Sequence, residues 1–307
     1  MQAVWMVLSA LVFSTMAVCV KFASNHFNAA ELVFYRGVIG VVFMALYARA
    51  RGVGLRTAVL PMHIWRSVVG VVALSAWFYA IAKLPLATAM TLNYMSSVWI
   101  AAFLVGGTLM FAKAGERVPA QGGLVLAILA SFAGVVMLLR PSLDPNQAFA
   151  GLVGLLSGLG AAFAYMQVMV LARIGEPETR TVFYFAVGTV VAGALGMLVL
   201  GMSSWNWQHA LWLPPVGILA SVGQLCMTKS YSMASKSGNH GSTLRVANLQ
   251  YTGIVFSALY GLVLFGDVIA PLGWAGMALI ASSAIAATVL RARAAPNAPA
   301  EIGRAHV

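Results

Sequence analysis

The stretch MALIASSAIAATVLR at residues 277–291 repeats the pattern of LAILASFAGVVMLLR at residues 126–140, and each ends in arginine after fourteen uncharged residues. A second match, VFY, occurs at 33–35 and again at 182–184. Alanine and leucine matches are common in membrane helices, so similar composition is the alternative explanation. At an offset of 151, further matched pairs are Gly115 and Gly266, Glu116 and Asp267, and Gly122 and Gly273. The VFY match and the pairs at an offset of 151 have nearly the same separation in the sequence, which favours an internal duplication.

The composition indicates a protein whose solvent is largely lipid. Of its 307 residues, 61% are hydrophobic and only 8% are charged, and the mean hydropathy is +0.91. A soluble domain of this length could not bury so much apolar surface. The formal charge of +11 lies at the ends of apolar segments and not in a basic stripe, so we expect no nucleic-acid partner. Cys19 and Cys226 lie inside apolar runs and predict no disulfide framework.

Ten apolar segments are long enough to span the hydrocarbon core, for which about 20 residues are needed. Turn-rich or polar segments separate them. The predicted spans, numbered in chain order, are residues 3–23, 29–48, 63–82, 87–111, 121–139, 150–171, 181–201, 211–232, 243–264 and 273–290. We therefore predict an all-α polytopic membrane protein with ten transmembrane helices, followed by a disordered cytoplasmic tail at 291–307.

Lysine and arginine are distributed unequally between the two ends of these spans. One side collects twelve of them, and the other has only Lys83 and Arg140. The positive-inside rule makes the richer side cytoplasmic, so both termini are expected in the cytoplasm of a bacterial inner-membrane protein. The twelve are Arg49, Arg51, Arg56, Arg66, Lys113, Arg117, Arg173, Arg180, Lys236, Arg291, Arg293 and Arg304.

The duplication predicts an inverted repeat, because each copy holds five spans. The first copy covers residues 1–141 and the second covers 150–290. An odd number of spans forces the second copy to enter the membrane in the opposite sense from the first. Inverted-topology repeats are typical of secondary transporters, whose substrate site lies near the midplane and whose access alternates between the two sides.

Short motifs occur in a fixed order along the chain. After Arg36 in the second span and Arg66 at the start of the third come AIAKLPLATA at 80–89, GER at 115–117, GVVMLLRP at 134–141 and LQYTGIVFSALYGLVLFGD at 249–267. Together they resemble the drug/metabolite transporter superfamily, specifically its EamA-type members. Two segments, LNYMSSVW and LQYTGIVF, lack the proline that is usual in that family. The resemblance covers nearly the whole chain and implies a bacterial exporter of amino acids or other metabolites.

Polar side chains inside the spans are candidates for the substrate site, because each is costly in lipid unless it is satisfied or faces a wet cavity. The eighth and ninth spans carry polar residues at spacings of three and four, which places them on one helix face. Hydrogen bonds between helices are the alternative role for such groups. The candidate substrate-binding residues are Trp77, Tyr79, Asn93, Tyr94, Ser97, Trp99, Tyr165, Gln167, Gln224, Thr228, Tyr231, Arg245, Asn248 and Tyr251.

The charged residues give expectations about the substrate. None of the seven acidic residues lies near the middle of a predicted span, which argues against a cation carrier or a midplane proton site. Lys229 and Arg245 either anchor helix ends at the membrane surface or face the pathway, where they would favour a carboxylate. Arg36 is expected to be structural and to pair with carbonyl groups or with Glu31. Aromatic and amide groups together suit a zwitterion with an apolar or aromatic side chain.

Other classes of function remain as alternatives. An intramembrane enzyme would need a buried nucleophile and base, yet the five histidines lie in breaks, at span ends or in the tail, and GxSxG and HExxH motifs are absent. We therefore expect no catalytic residues, metal or cofactor. A channel-like pore and a carrier of nucleotide-like metabolites stay open. Gly154, Gly158 and Gly160 indicate close helix packing and not a nucleotide loop, since no strand precedes them. The expected partners are the lipid bilayer and a small molecule, and a monomer suffices, although the sequence leaves the oligomeric state open.

Overall fold

The protein is a bundle of helices. The computed structural model describes residues 2–100, 102–103, 122–139, 145–236, 246 and 248–294, and the regular structure in these ranges is helical throughout. A four-residue helix, Trp207–Ala210, precedes α8. The longer helices are α1 (Gln2–Ala23), α2 (Ala29–Ala50), α3 (Leu60–Lys83), α4 (Leu86–Tyr94), α5 (Gly122–Leu139), α6 (Pro145–Arg173), α7 (Glu178–Leu200), α8 (Leu213–Lys236), α9 (Thr252–Phe265) and α10 (Pro271–Ala294). The predicted all-α class is confirmed.

Six stretches of the described chain are long and apolar enough to cross a membrane. They are α1, α2, α3, α6, α7 and the run Trp207–Ala234, which contains most of α8. The apolar stretches in α5, α9 and α10 are shorter. The outward faces expose large apolar side chains, such as Leu198 and Val199 on α7 and Val263 on α9. Water does not favour so apolar a surface, so the protein is a multi-pass membrane protein.

The observed helices correct several predicted boundaries, and the predicted span 243–264 is also interrupted, by a turn at Gln250 and Tyr251. The predicted span 87–111 is not one continuous helix, because a turn at Met95 separates α4 from helical residues 96–100. Residues 104–111 lie outside the described residues. The tail was expected from residue 291, but α10 continues to Ala294, since alanine and arginine are good helix formers and a basic residue is favourable at a helix C-terminus.

Helices that lie far apart in the sequence pair along their lengths. The most extensive pairings are α2 with α7, α5 with α10, α3 with α6, and α1 with α8. In addition, α4 packs on α9 and α6, and α9 packs on α1. Each of these pairings joins one of the first five helices to one of the last five, so the bundle forms only when both parts of the chain are in place.

Glycines allow the paired helices to approach closely. A Cβ added at Gly37 of α2 or at Gly193 of α7 would lie within 3 Å of the backbone of the other helix. At the crossing of α5 and α10, Gly134 and Gly276 each face the backbone of the partner helix at a similar distance. Close contact of small residues is the usual source of helix association in lipid, where hydrophobic burial contributes little.

The glycines of α6 also serve helix packing, as the sequence indicated. A Cβ at Gly158 would lie 2.5 Å from the carbonyl oxygen of Leu92 on α4, and one at Gly154 would lie 2.9 Å from the side chain of Leu92. Gly160 faces Ala73 of α3 at 2.8 Å. Replacing any of these glycines with a larger residue would push α6 away from α3 or α4.

The start of α2 is fixed by a capping box. The side chain of Asn28 accepts hydrogen bonds from the first helical N–H groups, and the Glu31 carboxylate accepts from the Asn28 N–H at 2.8 Å. Glu31 also accepts from the backbone N–H and the hydroxyl of Ser203, at 2.8 and 2.7 Å. The expected pair between Arg36 and Glu31 is therefore wrong, because the carboxylate oxygens already have other donors, and no ion pair in the described chain joins them.

Candidate functional site

A cavity of about 60 Å³ lies where seven helices meet: α1, α2, α3, α4, α6, α7 and α8. This volume holds a few water-sized groups. Its walls are mostly apolar, with two guanidinium groups, two amides and two phenols among them. The lining residues are Phe13, Arg36, Arg66, Gly70, Ala73, Leu74, Trp77, Asn93, Tyr94, Ala161, Ala164, Tyr165, Phe185 and Gln224.

Arg36 of α2 and Arg66 of α3 supply the positive charge of the cavity. Both side chains are almost fully buried, with 4% and 2% exposed. Their guanidinium carbons lie over the same ring, that of Phe185 on α7, at 5.1 and 4.0 Å from its centroid. A cation over an aromatic face is stabilised by the ring quadrupole. The shared ring therefore holds two charged groups at one wall of the cavity, close enough for the charges to interact.

Gly70, one helical turn after Arg66 in α3, leaves room for the Arg66 side chain. A Cβ built at Gly70 would overlap Nη1 of Arg66 and would lie 2.8 Å from the ring of Phe185. Residues four apart lie on the same helix face, so glycine at this position leaves the space that the guanidinium group fills. The orientation of Arg66 into the cavity thus depends on a missing side chain.

Neither arginine meets a carboxylate in the part of the chain that the structure describes. Nε of Arg36, and Nε and Nη1 of Arg66, are buried without a hydrogen-bond partner there. The ion pairs found in the described ranges join Lys21 to Asp267, and His63 and Arg180 to Glu176. A buried charge is costly unless it is paired, so the cavity has an excess positive charge that its own described residues do not neutralise.

Two helix interruptions lie beside the cavity. α4 ends at Tyr94 and is followed by the turn at Met95, while Gln250 and Tyr251 form the turn that precedes α9. The Tyr251 hydroxyl donates to the Tyr94 carbonyl at 3.2 Å, which satisfies an acceptor that the interruption frees. Neither turn contains proline, so the helices break here without the residue that usually causes a break.

Amide and aromatic groups complete the walls. The Asn93 side-chain nitrogen donates to the Ser157 hydroxyl of α6 at 3.2 Å, and Asn93 also lines the cavity. Gln224 reaches the cavity from α8. Trp77 packs edge-on against Phe13, with ring centroids 6.4 Å apart. Asn93 therefore fits both roles expected from the sequence, a helix-to-helix hydrogen bond and a cavity-facing amide.

Five of the fourteen predicted binding residues line the cavity, and they come from four helices. Aromatic and amide groups from distant parts of the chain meet here, and substrate binding by these groups stays a prediction. The five are Trp77, Asn93, Tyr94, Tyr165 and Gln224.

Three more predicted residues lie next to those that line the cavity. The rings of Tyr231 and Tyr251 pack on the cavity residues Tyr165 and Tyr94, with centroids 6.0 and 6.3 Å apart. Ser97 lies within hydrogen-bonding reach of Tyr251. These residues support the cavity wall from behind in this conformation.

The remaining predicted residues that the structure describes do not line the cavity. Tyr79 packs on Phe149 at 6.0 Å, since two residues along a helix turn it by about 200° from the direction of Trp77. Trp99 packs on Phe132 of α5 at 5.1 Å. Gln167, Thr228 and Asn248 are not among the lining residues, and Arg245 lies outside the described residues.

The sequence pattern missed both arginines of the cavity. Arg66 was counted with the charges of a cytoplasmic connection because the third span was predicted from residue 63. α3 begins at Leu60, three residues earlier, so Arg66 lies nearly two turns inside the helix. Arg36 carried a usable signal, since an arginine inside a span is itself a functional hypothesis. Phe185 offered no signal, because phenylalanine is ordinary in an apolar span.

Lys229 does not face the cavity. The sequence left two roles for it, a surface anchor or a charge on the pathway. Its side chain is exposed, and Nζ lies 4.1 Å from the centroid of the Trp5 ring. This cation–π contact at the surface agrees with the anchoring role, in which the aliphatic stem lies on the protein and the ammonium group reaches the interface.

A cluster around Asp267 ties three helix ends together. Nζ of Lys21, near the end of α1, lies 3.2 Å from both carboxylate oxygens of Asp267, which follows α9. The backbone N–H of Leu86, at the start of α4, donates to the same carboxylate at 2.8 Å. Lys21 also donates to the Leu84 carbonyl at 3.3 Å. Asp267 thus neutralises a lysine and caps a helix N-terminus at once.

A second cluster, around Glu176, lies at the other end of α3, about 30 Å from Leu84 by helix rise. Nε2 of His63 lies 3.0 Å from Glu176, and Arg180 lies 3.5 Å away. Burial raises the pKa of Glu176, but hydrogen bonds from Thr57 and His63 and the charge of Arg180 outweigh it, so the pKa lies below its ordinary range. The two clusters lie near opposite ends of α3.

Comparisons with known proteins find transporters. The chain is 33% identical over 282 residues to the pseudopaline exporter CntI of Pseudomonas aeruginosa, covering 91% of this chain and 93% of that protein. It is 28% identical over 287 residues to a riboflavin transporter of Rhizobium johnstonii, covering 92% and 89%. An uncharacterized transporter of Helicobacter pylori is 26% identical over 288 residues, covering 91% of each chain. These relatives are named as transporters or exporters and not as enzymes.

A solved structure shares the fold. One crystal structure matches with a TM-score of 0.64 at 20% sequence identity, covering 95% of this chain and 98% of the other. At 20% identity, this similarity supports a shared fold and carries no information about function. No family model matches the chain.

Proposed function

We propose that this chain, which belongs to the family of membrane transporters that includes the pseudopaline exporter, is a secondary transporter that moves small metabolites by alternating access. The observation that carries the proposal is the cavity, which lies between two interrupted helices and between two polar clusters at opposite ends of the bundle. Interrupted helices at a central site are a common feature of secondary transporters. A bundle that opens at one cluster while closing at the other would expose the cavity to each side in turn.

The inverted repeat is part of this proposal. In two equivalent repeats, α1 corresponds to α6, α2 to α7, α3 to α8, α4 to α9 and α5 to α10. Under this correspondence the α3–α6 pairing is equivalent to α8–α1, and the α4–α6 pairing is equivalent to α9–α1. All four pairings occur. The pairings α2–α7, α5–α10 and α4–α9 map onto themselves. Such a pattern is expected from two five-helix repeats, at residues 1–141 and 150–290, related by a pseudo-two-fold axis in the membrane.

The proposed orientation places both termini in the cytoplasm of a bacterial inner membrane. Arg66 is removed from the count of lysines and arginines on the cytoplasmic side, because it lies inside α3 and lines the cavity. The remaining lysines and arginines of the counted connections still favour the same side by a wide margin over Lys83 and Arg140. The cavity lies within one chain, so the proposal needs no second copy.

The proposed substrates are small zwitterionic metabolites such as amino acids, including aromatic or apolar ones. Trp77, Tyr94 and Tyr165 offer apolar walls with polar tips, and Asn93 and Gln224 offer amide donors and acceptors. Relatives that carry metabolites support a small organic substrate. A nucleotide-like metabolite is the alternative substrate class, and a channel-like pore is the alternative mechanism.

Counterflow in proteoliposomes tests the proposal. Vesicles loaded with an unlabelled metabolite are diluted into buffer with the labelled compound, across a panel of amino acids, acidic amino-acid derivatives and nucleotides. A carrier accumulates label transiently and saturates, because one binding site alternates between the two sides. A pore lets the labelled compound equilibrate without a transient excess inside. Vesicles prepared without the protein give the background uptake. Saturable uptake restricted to nucleotides would replace the amino-acid proposal with the alternative.

A further inference from the structure

Arg36 and Arg66 give the cavity a charge that a neutral zwitterion does not match. The two guanidinium groups share the ring of Phe185, and the buried N–H groups at Nε of Arg36 and at Nε and Nη1 of Arg66 have no acceptor in the described chain. The ammonium group of an amino acid would meet two positive charges in this space. Coulomb repulsion is strong where water is largely excluded, so such a ligand satisfies the site only in part.

A guanidinium group that packs on an aromatic side chain has no conventional acceptor there, so its N–H groups stay available to other acceptors. The five N–H donors of arginine lie in the plane of the group, in a fork that matches the two oxygens of a carboxylate. Cζ of Arg36 and Cζ of Arg66 lie over the Phe185 ring, and its side chain has no oxygen or nitrogen to accept their hydrogen bonds. The ring therefore holds the two forks in place without competing for their hydrogen bonds, which is how a preorganised oxyanion site is built.

We propose that Arg36 and Arg66 form an anion site that selects metabolites with at least two carboxylates and a net negative charge. The inference rests on the proposed transport function and narrows its substrate class, so neutral amino acids become weaker ligands than acidic derivatives of similar size. The carboxylates take the place of the acidic partners that the described chain does not supply, and Trp77, Tyr94 and Tyr165 contact the carbon skeleton. Guanidinium forks also match phosphate oxygens, so a phosphorylated analogue is included in the test.

The wild-type protein tests this without any substitution. N-acetyl-L-glutamate and N-acetyl-L-glutamine have nearly the same shape and differ by one carboxylate, and neither has an ammonium group. We expect the dicarboxylate to raise the thermal stability of the detergent-purified protein at concentrations at least tenfold lower than the monocarboxylate does. Equal effects, or none from either compound at millimolar concentration, would overturn the proposal. Tighter binding of N-acetyl-O-phosphoserine than of the dicarboxylate would overturn the choice of carboxylate over phosphate.

Substitutions then assign the effect to the two arginines. Arg66→Gln and Arg36→Gln each remove one fork, and we expect either to abolish most of the preference for the dicarboxylate. Arg66→Lys keeps the charge but loses the fork, so it should retain an intermediate preference. Lys229→Gln is the matched control, since it removes an exposed positive charge away from the cavity and should keep the wild-type preference. A wild-type preference in both stable arginine variants would contradict the assignment.

Binding and transport separate two kinds of failure. If the dicarboxylate stabilises the protein but counterflow is absent for every compound, the anion site stands and the carrier mechanism fails. If counterflow is saturable for neutral amino acids and the dicarboxylate neither binds nor competes, the carrier mechanism stands and the anion site is wrong.

Discussion

Asn93 has one hydrogen-bond partner on a neighbouring helix and one side open to the cavity. Its amide donates to Ser157, which in turn donates to the carbonyl of Gly154, so part of its role is to hold α4 on α6. Because Asn93 also lines the cavity, its amide can offer a donor and an acceptor to a ligand. The two roles can be separated because the partner of Asn93 does not line the cavity.

Asn93→Ala should raise the half-saturation concentration for transport, and Ser157→Ala should change it by less than about twofold. A buried hydrogen bond to a charged ligand group contributes about 1.5–3 kcal/mol, which corresponds to roughly tenfold to 150-fold in affinity. Counterflow kinetics measured beside the melting temperature distinguish lost binding from lost packing. A stable Asn93→Ala protein with unchanged half-saturation would remove this residue from the site and leave Gln224 as the next amide candidate.

Glu176 makes stability depend on pH in a defined direction. Because its pKa is lowered in the folded protein, the ionised carboxylate stabilises the fold at pH values above the ordinary carboxyl pKa of about 4. That contribution is lost as the pH falls through the lowered value. We expect the melting temperatures of wild type and Glu176→Gln to differ near neutral pH and to converge as the pH falls through the lowered pKa of Glu176.

The neighbouring carboxylate offers a control for Glu176. Glu178→Gln removes the same charge from the start of α7 but leaves the contacts with His63 and Arg180 intact. Its melting temperature should stay closer to that of the wild type at neutral pH. A Glu176→Gln protein whose melting temperature differs from the wild type by the same amount across the whole acidic titration would show that the ion pairs do not contribute.

At the scale of helices, Asp267 combines two interactions that substitutions can separate. Asp267→Asn and Lys21→Gln both lose the ion pair but keep an acceptor for the N–H of Leu86. Asp267→Ala leaves that N–H without a partner at the start of α4, which costs about 1–3 kcal/mol for a buried donor. We expect Asp267→Ala to melt at a lower temperature than the other two variants, and equal melting of all three would contradict the capping role.

Hydropathy predicted the helices better than it predicted their interruptions. Apolar runs such as those of α1 and α7 are long and bounded by polar segments, so their ends were placed within a few residues. The turn at Met95 escaped notice because it lies inside an apolar run and changes no polarity. The interruption depends on tertiary contacts instead, such as the hydrogen bond from the Tyr251 hydroxyl to Tyr94.

The cavity could be predicted in kind but not in detail. Amides and aromatic residues inside spans indicated a polar central space, and Trp77, Asn93 and Tyr165 do meet there. Which face of each helix turns inward depends on packing, and contacts such as Gly158 against Leu92 set that rotation. A shift of three residues in the start of α3 contributed to the misassignment of Arg66 to a connection.

At the scale of the molecule, the proposed orientation predicts which connections are accessible from outside the cell. Both native cysteines are buried, so introduced cysteines should dominate labelling. Trp205→Cys, between α7 and α8, should react with a membrane-impermeant thiol reagent in intact cells. Gly54→Cys, between α2 and α3, should react only after the membrane is opened. The reverse labelling pattern would invert the orientation, and labelling of both positions from outside would contradict the inverted repeat.

The two cavity arginines also bear on what drives transport. Bacterial cytoplasm is electrically negative relative to the outside, and moving one elementary charge through 100 mV corresponds to about 2.3 kcal/mol. A carrier that selects anions therefore exports them down the voltage, without a proton-binding carboxylate in the cavity. In proteoliposomes, efflux of a dicarboxylate should persist when the proton gradient is collapsed, and a potassium diffusion potential that is negative inside should accelerate it. Efflux that follows pH and ignores voltage would show that protons supply the driving force instead.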